Sequence, residues 1–278
     1  MPPIEQVVSL RKDHIDSVMR LNQAAGWNQT EQDWNRVISL EPDGCLALEA
    51  DGTIVSTTTA VCFGRRLAWI GMVLTDSECR GRGYARRLME HALEFLDERG
   101  VERTKLDATD MGRPLYVKLG FEDETPVERW VLPVVPASVS GVGDVAPFEF
   151  DAALDLEAFG ADRSALIRSL PLDDAASVPG DGYAMGRPGT RYAYFGPCVT
   201  RTPDGARKLL QRYLSRHPGE SVAWDILADN REAIRLAQKF GFERRRQLMR
   251  QVRPGPKAAQ PFVHNNSYVF AIAGFECG

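Results

Sequence analysis

This sequence predicts a mixed α/β fold, built twice in tandem. Three observations carry the prediction. An apolar run, Leu67 to Leu74, enters a glycine-bearing turn, Arg80-Gly81-Arg82-Gly83-Tyr84-Ala85, which opens an amphipathic stretch from Arg86 to Arg99. A pentapeptide, Lys118-Leu119-Gly120-Phe121-Glu122, recurs as Lys239-Phe240-Gly241-Phe242-Glu243. The chain has 278 residues, a length that suits about two domains.

In the first half, Ile4 to Val8 reads as a strand and Asp13 to Ala25 as a helix with apolar Ile15, Val18, Met19 and Leu21. Thr30 to Leu40 is a second helix, with Thr30 as N-cap and Asp33 three residues on, a relative of the capping box. Cys45 to Glu49 and Ile54 to Cys62 are strands joined by Asp51-Gly52, a hairpin signal. Leu67 to Leu74 is the third strand of that meander. The helix after the turn places Ala85, Leu88, Ala92, Leu93, Phe95 and Leu96 near a 3.6-residue period, and Gly100 ends it. A strand, Glu102 to Ala108, and a short helix lead to Leu119-Gly120-Phe121. Arg129 to Leu132 is expected to close the sheet.

The second half repeats this order. A first domain over 1–133 is followed by a linker over 134–147, rich in Pro, Gly and Ser, and a second domain over 148–278. Ala152 to Leu170 is expected to be largely helical and Pro171 to Gly180 a loop. Tyr183 to Met185 is expected to pair with Arg191 to Val199. Ala206 to Leu214 is a helix, Val222 to Leu227 a strand, and Ser267 to Phe275 a late strand. The second copy differs where chemistry would occur. Its turn, Thr200-Arg201-Thr202-Pro203-Asp204-Gly205-Ala206, has a Pro without an N–H and an Asp that repels anions. Ala237 stands where the first copy has Tyr116.

A strand feeding a glycine turn at a helix start suits a phosphate, because free N–H groups and the positive end of the helix dipole face the anion. The turn lacks the Lys and Ser/Thr of a nucleotide P-loop. Arg86 stands where a dinucleotide fingerprint needs Gly or Ala, which counts against a nicotinamide oxidoreductase. Arg/Gln-x-x-Gly-x-Gly/Ala does fit, filled by Arg80, Gly83 and Ala85. This resembles the pyrophosphate loop of the GCN5-related N-acetyltransferases, and Tyr116 to Phe121 resembles the Tyr-x-x-x-Gly-Phe-like segment of that family.

The resemblance implies two tandem acyl-CoA N-acyltransferase domains, the second degenerate and without coenzyme. It implies acetyl-CoA as co-substrate, with Arg80, Gly81, Arg82, Gly83, Tyr84 and Ala85 at the pyrophosphate. Met72, Val73 and Leu74 are implied near the thioester, Thr109 at the second-helix position and Tyr116 as proton donor to the leaving thiolate. By the same analogy Trp27, Asn28 and Trp34 border the acceptor, with His264 as a further contact if the second domain folds back; Asp162-Arg163 is a helix cap or a second such contact. No residue is assigned as base. A coenzyme-sensing module without turnover and a protein-modifying acetyltransferase are the competing readings.

Composition bounds the rest. The chain is 44% hydrophobic and 26% charged with net charge −4, ordinary for a globular protein. No run is apolar enough to span a bilayer, and no long basic tract points to nucleic acid. Cysteines 45, 62, 79, 198 and 277 show no metal spacing, so a reduced, cytoplasmic protein without a metal is expected. The expected partner is a small-molecule amine, with neither nucleic acid nor membrane, for a monomer or homodimer.

Overall fold

The computed structural model describes residues 4–139, 143–258 and 261–278. Local sequence signals set most of its elements. Strand β1 (Glu5–Ser9) is followed by helices α1 (Ile15–Ala24) and α2 (Glu31–Leu40). Thr30 caps α2 as its spacing predicts: its Oγ1 accepts from the Asp33 N–H at 3.3 Å, and the Asp33 carboxylate accepts from the Thr30 N–H at 2.9 Å. Strands β2 (Cys45–Ala50) and β3 (Thr53–Phe63) form the expected hairpin. Asp51 and Gly52 have φ of 49° and 76°, the left-handed pair that a tight right-twisting hairpin requires. Strand β4 (Leu67–Thr75) completes the meander, and α3 (Tyr84–Glu98), β5 (Arg103–Ala108) and α4 (Arg113–Lys118) follow.

The chain then runs through β6 (Glu122–Leu132), β7 (Ala146–Pro147), α5 (Ala152–Phe159), α6 (Ser164–Ser169), β8 (Ala176–Val178), β9 (Gly182–Arg187) and β10 (Ala193–Thr200). It continues with α7 (Pro203–Arg216), β11 (Val222–Leu227), α8 (Arg231–Lys239), β12 (Glu243–Pro254) and β13 (Val269–Ala271). No helix among the described residues is long and apolar enough to cross a membrane.

Two compact units result, and they do not follow chain order. The first comprises Met1–Glu122, Gln251–Gln260 and Phe275–Cys277; the second comprises Asp123–Arg250, Pro261–Gly274 and Gly278. In the first unit the strands run β1-β2-β3-β4-β5, and the end of β12 lies beside β5. Arg253 on that end is held to Asp97 of α3 by two hydrogen bonds of 2.9 and 2.8 Å. The core of this unit packs α3 residues Met89, Ala92, Leu93 and Leu96 on Ala60, Ala68, Ile70 and Leu106, with Tyr116 and Phe121 of the α4 region.

The second unit holds β6, which pairs antiparallel with β11 from Val222↔Leu132 to Leu227↔Val127. Arg129 and Asp225 on these strands form a bidentate pair at 2.8 and 2.6 Å. Arg129 to Leu132 therefore does not close the first copy's sheet as expected. Nearly all of β6 thus lies in the second unit and the end of β12 in the first, and the boundary at 133 shifts accordingly. The segment 134–147 is also not a free linker where it is described: Val135 is 1% exposed in the second unit's core, and Ala146 and Pro147 pair with β8. Residues 140–142 of that segment lie outside the described residues.

Ala152 to Leu170 is largely helical as expected, in the two pieces α5 and α6; Gly160, with a φ of 87°, ends α5 in a left-handed cap that only glycine adopts cheaply. One strand expectation is corrected. The late strand is short, Val269–Ala271, after a turn of 3-10 helix over Asn266–Tyr268. Asp162 precedes Arg163, the N-cap of α6, and its carboxylate accepts from the Ser164 N–H at 2.9 Å. Arg163 is 1% exposed, donates to both Asp155 oxygens and to the Gly278 carbonyl, and lines no cleft. Arg163→Met leaves the 1% exposed Asp155 without its charge partner. It is expected to lower the unfolding free energy by about 3–5 kcal/mol, measured by chemical denaturation.

Candidate active site

The first unit's site is built on a sheet that opens. Strands β4 and β5 pair in parallel only at Ala68↔Thr104 and Trp69↔Lys105. Both strands continue, β4 to Thr75 and β5 to Ala108, without a further ladder between them. The opening coincides with a β-bulge. The register to β3 shifts between Thr59↔Gly71 and Thr57↔Leu74, so Met72 and Val73 oppose the single residue Thr58. Met72 takes a φ of 50°, a conformation rare for a residue with a side chain. Buried hydroxyls hold the bulge in place: Thr57 Oγ1 donates to the Met72 carbonyl at 2.7 Å and Ser56 Oγ to the Leu74 carbonyl at 3.0 Å. The bulged residues leave main-chain groups on the β5 side of β4 for an extended ligand.

The turn beyond β4 is the candidate anion site. Asp76 starts it, accepting from the Glu78 N–H at 3.1 Å and from Arg20 at 2.8 Å. The Arg20 hydrogen bond holds the Asp76 carboxyl below the usual carboxylate range. Gly81 and Gly83 have φ of 78° and 81°, and a Cβ at either would meet open space. Gly83 is the N-cap of α3 and offers no capping side chain. The first-turn N–H groups of α3 have no acceptor within the helix, so they face the open side of the turn together with the helix dipole. Arg80 and Arg82 fold over the turn, donating to the Thr75 and Glu78 carbonyls at 3.4 and 3.3 Å. Ala85 follows half-buried. Tyr84 contributes only its main chain here. Its ring is buried with Leu48, Val55 and Leu88, and its hydroxyl donates to Glu5, which raises the phenol above its ordinary range.

Tyr116 stands on α4, which follows β5. Its ring is 7% exposed, packs edge-on against Phe121 at 6.2 Å, and passes so close to Gly112 that a Cβ there would fall 3.1 Å from the hydroxyl. Burial pushes the phenol well above its ordinary range. Thr109 sits between β5 and α4, where its Oγ1 accepts from the Gly112 N–H at 3.1 Å.

The acceptor expectations divide. Trp27 is half-buried and Asn28 is 7% exposed, both in the α1–α2 connection. Trp34 is fully buried, with Nε1 donating to Asn22 at 3.4 Å. It is core and cannot border an acceptor, because it shares the inward face of α2 with Val37 and Ile38. His264 belongs to the second unit, where its ring lies 5.2 Å from that of Phe262. The Ser and Thr residues that pin the bulge were missed, although Ser56-Thr57-Thr58-Thr59, a polar run inside a strand and fully buried, is a signal for them.

In the second unit, the corresponding features are filled from within the chain. Strands β10 and β11 also pair only over Ala193↔Val222 to Phe195↔Trp224. Here β13 enters the gap, pairing antiparallel with β10. The Ile272 N–H donates to the Asp225 carbonyl at 3.1 Å, and Trp224 Nε1 to the Phe270 carbonyl at 2.7 Å. Asn230 Nδ2 donates to the Val269 carbonyl at 2.9 Å. At the start of α7, Asp181 accepts from the Thr202 N–H at 2.9 Å and from its hydroxyl. A Cβ on Gly205 would fall 2.0 Å from that carboxylate. Asp181, twenty-one positions before Thr202, was not singled out in the sequence.

Comparisons with known proteins agree with this geometry. The model of the Acetyltransferase (GNAT) family matches residues 10–121, and that of the Acetyltransferase (GNAT) domain matches residues 152–270. The chain is 26% identical over 233 residues to the uncharacterized N-acetyltransferase YitH of Bacillus subtilis (strain 168), covering 79% of this chain and 81% of that one. In fold it resembles a provisionally assigned acetyltransferase from Pyrococcus horikoshii, with a TM-score of 0.84, 20% identity, and 99% and 96% of the two chains covered. It also resembles a tandem GNAT protein from the clavulanic acid biosynthesis pathway, with a TM-score of 0.63, 16% identity, and 93% and 100% covered.

Trp34→Ala is expected to cost about 3–5 kcal/mol of stability, the range for truncating a buried aromatic. Thermal or denaturant unfolding would register that loss. Trp27→Ala, at a half-buried loop position, is expected to cost under about 1 kcal/mol in the same measurement.

Proposed function

We propose, from the premise that this chain belongs to the acetyltransferase (GNAT) family and carries its domain in both halves, that the first copy transfers an acetyl group from acetyl-CoA to a primary amine of a small molecule. The observation that carries this reading is the parting of β4 and β5 at the Met72 bulge, in line with the open glycine turn of α3. A ligand with an extended amide-bearing arm and a diphosphate matches both.

The fit rests on two features of the chain. The bulged edge at Met72, Val73 and Leu74 presents main-chain donors and acceptors that need partners. At Gly81 and Gly83 the left-handed backbone and the empty space beyond it admit a phosphate close to the main chain. Acetyl-CoA, when bound, supplies an acetyl group already activated as a thioester. The turn from Arg80 to Ala85 holds its diphosphate, chiefly by N–H groups, with Arg80 and Arg82 adding charge. Main-chain N–H groups at the bulge polarise the thioester carbonyl where negative charge develops. Tyr116, kept neutral by burial, gives its proton to the departing sulfur. Trp27 flanks the incoming amine and favours a cation by its ring face. The reaction needs no covalent enzyme intermediate. We place this activity in the cytoplasm.

The second copy is expected to bind no coenzyme, since β13 and Asp181 stand where the arm and the diphosphate would go. Calorimetric titration with acetyl-CoA is therefore expected to give one site per chain; two sites would contradict this reading. Gly83→Asp forces a side chain into φ of 81° and adds a charge against the diphosphate. Affinity should fall by about hundredfold or more, as expected for about 3 kcal/mol, and undiminished affinity would refute the loop assignment. Tyr116→Phe should lower kcat by about 10²–10⁴-fold, the usual worth of a positioned acid, with coenzyme affinity retained. An unchanged kcat would mean another proton donor.

A further inference from the structure

The Met72 bulge decides which main-chain group β4 turns toward the gap. Strand β3 flanks β4 on one edge and β5 flanks it on the other. The Thr57 hydroxyl, on β3, donates to the Met72 carbonyl at 2.7 Å. The Met72–Val73 peptide is trans. In a planar trans peptide the C=O and the following N–H point in opposite directions. With the carbonyl turned to Thr57, the Val73 N–H is turned away from β3, toward the β5 edge. Among the described residues the β4–β5 ladder ends at Trp69↔Lys105, so no β5 residue pairs with Val73 there. Thr57 is fully buried, whereas Val73 is half-buried.

The second copy supplies an independent comparison. Its bulge lies on β10, where the register to β9 shifts between Phe195↔Gly186 and Cys198↔Ala184. Gly196 and Pro197 stand in that shift as Met72 and Val73 stand between Thr59↔Gly71 and Thr57↔Leu74. Cys198 corresponds to Leu74, so its partner Ala184 corresponds to Thr57. The second copy therefore has proline, with no N–H, in the place of Val73. It has alanine, with no hydroxyl, in the place of Thr57. A bulge forms on this frame without the hydroxyl, so strand geometry alone does not require Thr57. Donor and hydroxyl are missing together from the copy whose gap is filled by β13.

We infer that Thr57 is a positioning residue for acetyl transfer: its hydroxyl fixes the Met72–Val73 peptide plane and so aims the Val73 N–H at the thioester carbonyl oxygen. This inference rests on the acetyl-transfer reading above and deepens it, by assigning one amide and the side chain that orients it. The Val73 N–H donates to the oxygen of the bound thioester and weakens its C=O bond. As the amine nitrogen bonds to the carbonyl carbon, the charge that gathers on the oxygen meets the same N–H. Without the hydroxyl the peptide plane is free to turn, and a hydrogen bond weakens steeply once its donor swings out of line. Thr57 acts only through the main chain of β4.

The test uses the full chain and acetyl-CoA with an isotopically labelled acetyl carbonyl, and it needs no acceptor. Infrared difference spectra read the C=O stretch of the bound thioester, calorimetry reads affinity, and the melting temperature reports folding. In the wild type the stretch should fall below that of free acetyl-CoA. Thr57→Val keeps the shape of the side chain, loses the donor and should abolish most of that fall. Affinity should stay within about tenfold of wild type, the scale of one hydrogen bond, because the turn from Arg80 to Ala85 still holds the diphosphate. Thr57→Ser keeps the hydroxyl and should restore the wild-type stretch. Thr59→Val is the control: its buried Oγ1 has no hydrogen-bond partner among the described residues, and the variant should keep the wild-type stretch. If Thr57→Val fails to fold, Thr57→Cys, with a weak S–H donor, should give an intermediate stretch. A wild-type stretch in Thr57→Val, or in Thr57→Cys where it replaces that variant, overturns the inference. So does a Thr59→Val stretch altered as much as that of Thr57→Val, or a wild-type protein whose bound stretch equals that of the free coenzyme. A wild-type protein that binds no acetyl-CoA strikes the acetyl-transfer reading itself.

Discussion

Everything about this site follows from two parallel strands that stop pairing. A sheet interior does not tolerate unpaired N–H and C=O groups without compensation. Beyond Trp69 and Lys105 the main chain of β4 must find partners other than β5. The Met72 bulge, with its positive φ, is held open by hydroxyls from the neighbouring strand. That use accounts for Ser56 and Thr57, two of the four buried hydroxyl residues that β3 carries in succession.

The two copies meet the same constraint in different ways. In the second unit the gap between β10 and β11 is closed by β13, which hydrogen-bonds as a peptide would. The Asp181 carboxylate takes the place of an anion before α7. In the first unit the equivalent turn ends on Gly83, with no side chain to serve the amides behind it. Duplicated frames thus separate into one that leaves its polar groups for a ligand and one that satisfies them internally. The difference lies in a few residues and one short strand, not in the architecture.

Much of this was legible in local sequence. The glycine turn, the Asp51-Gly52 hairpin and the Thr30 cap are encoded within a few residues, where backbone sterics and short hydrogen bonds decide. Trp34 could have been recognised as core from its spacing to Val37 and Ile38 alone. Tyr84 misled because one residue does two jobs: its amide faces the turn while its side chain follows the helix phase into the core. The placement of β6 and the end of β12 was not legible. Each is a plausible last strand for its own copy, and the choice between edges is made by pairing far along the chain, as between β6 and β11. Asp181 was hidden for the same reason, since nothing near it in sequence marks what it will touch.

Each compact unit draws residues from both halves of the chain. A cut near residue 133, the natural place to divide a duplicated gene product, would strip each fragment of its closing strand and expose a bare edge to aggregation. During synthesis the early half must wait for residues 251–258, near the end of the chain, before its sheet is complete. Isolating either half as a folded unit would require grafting onto it the segment that the other half supplies.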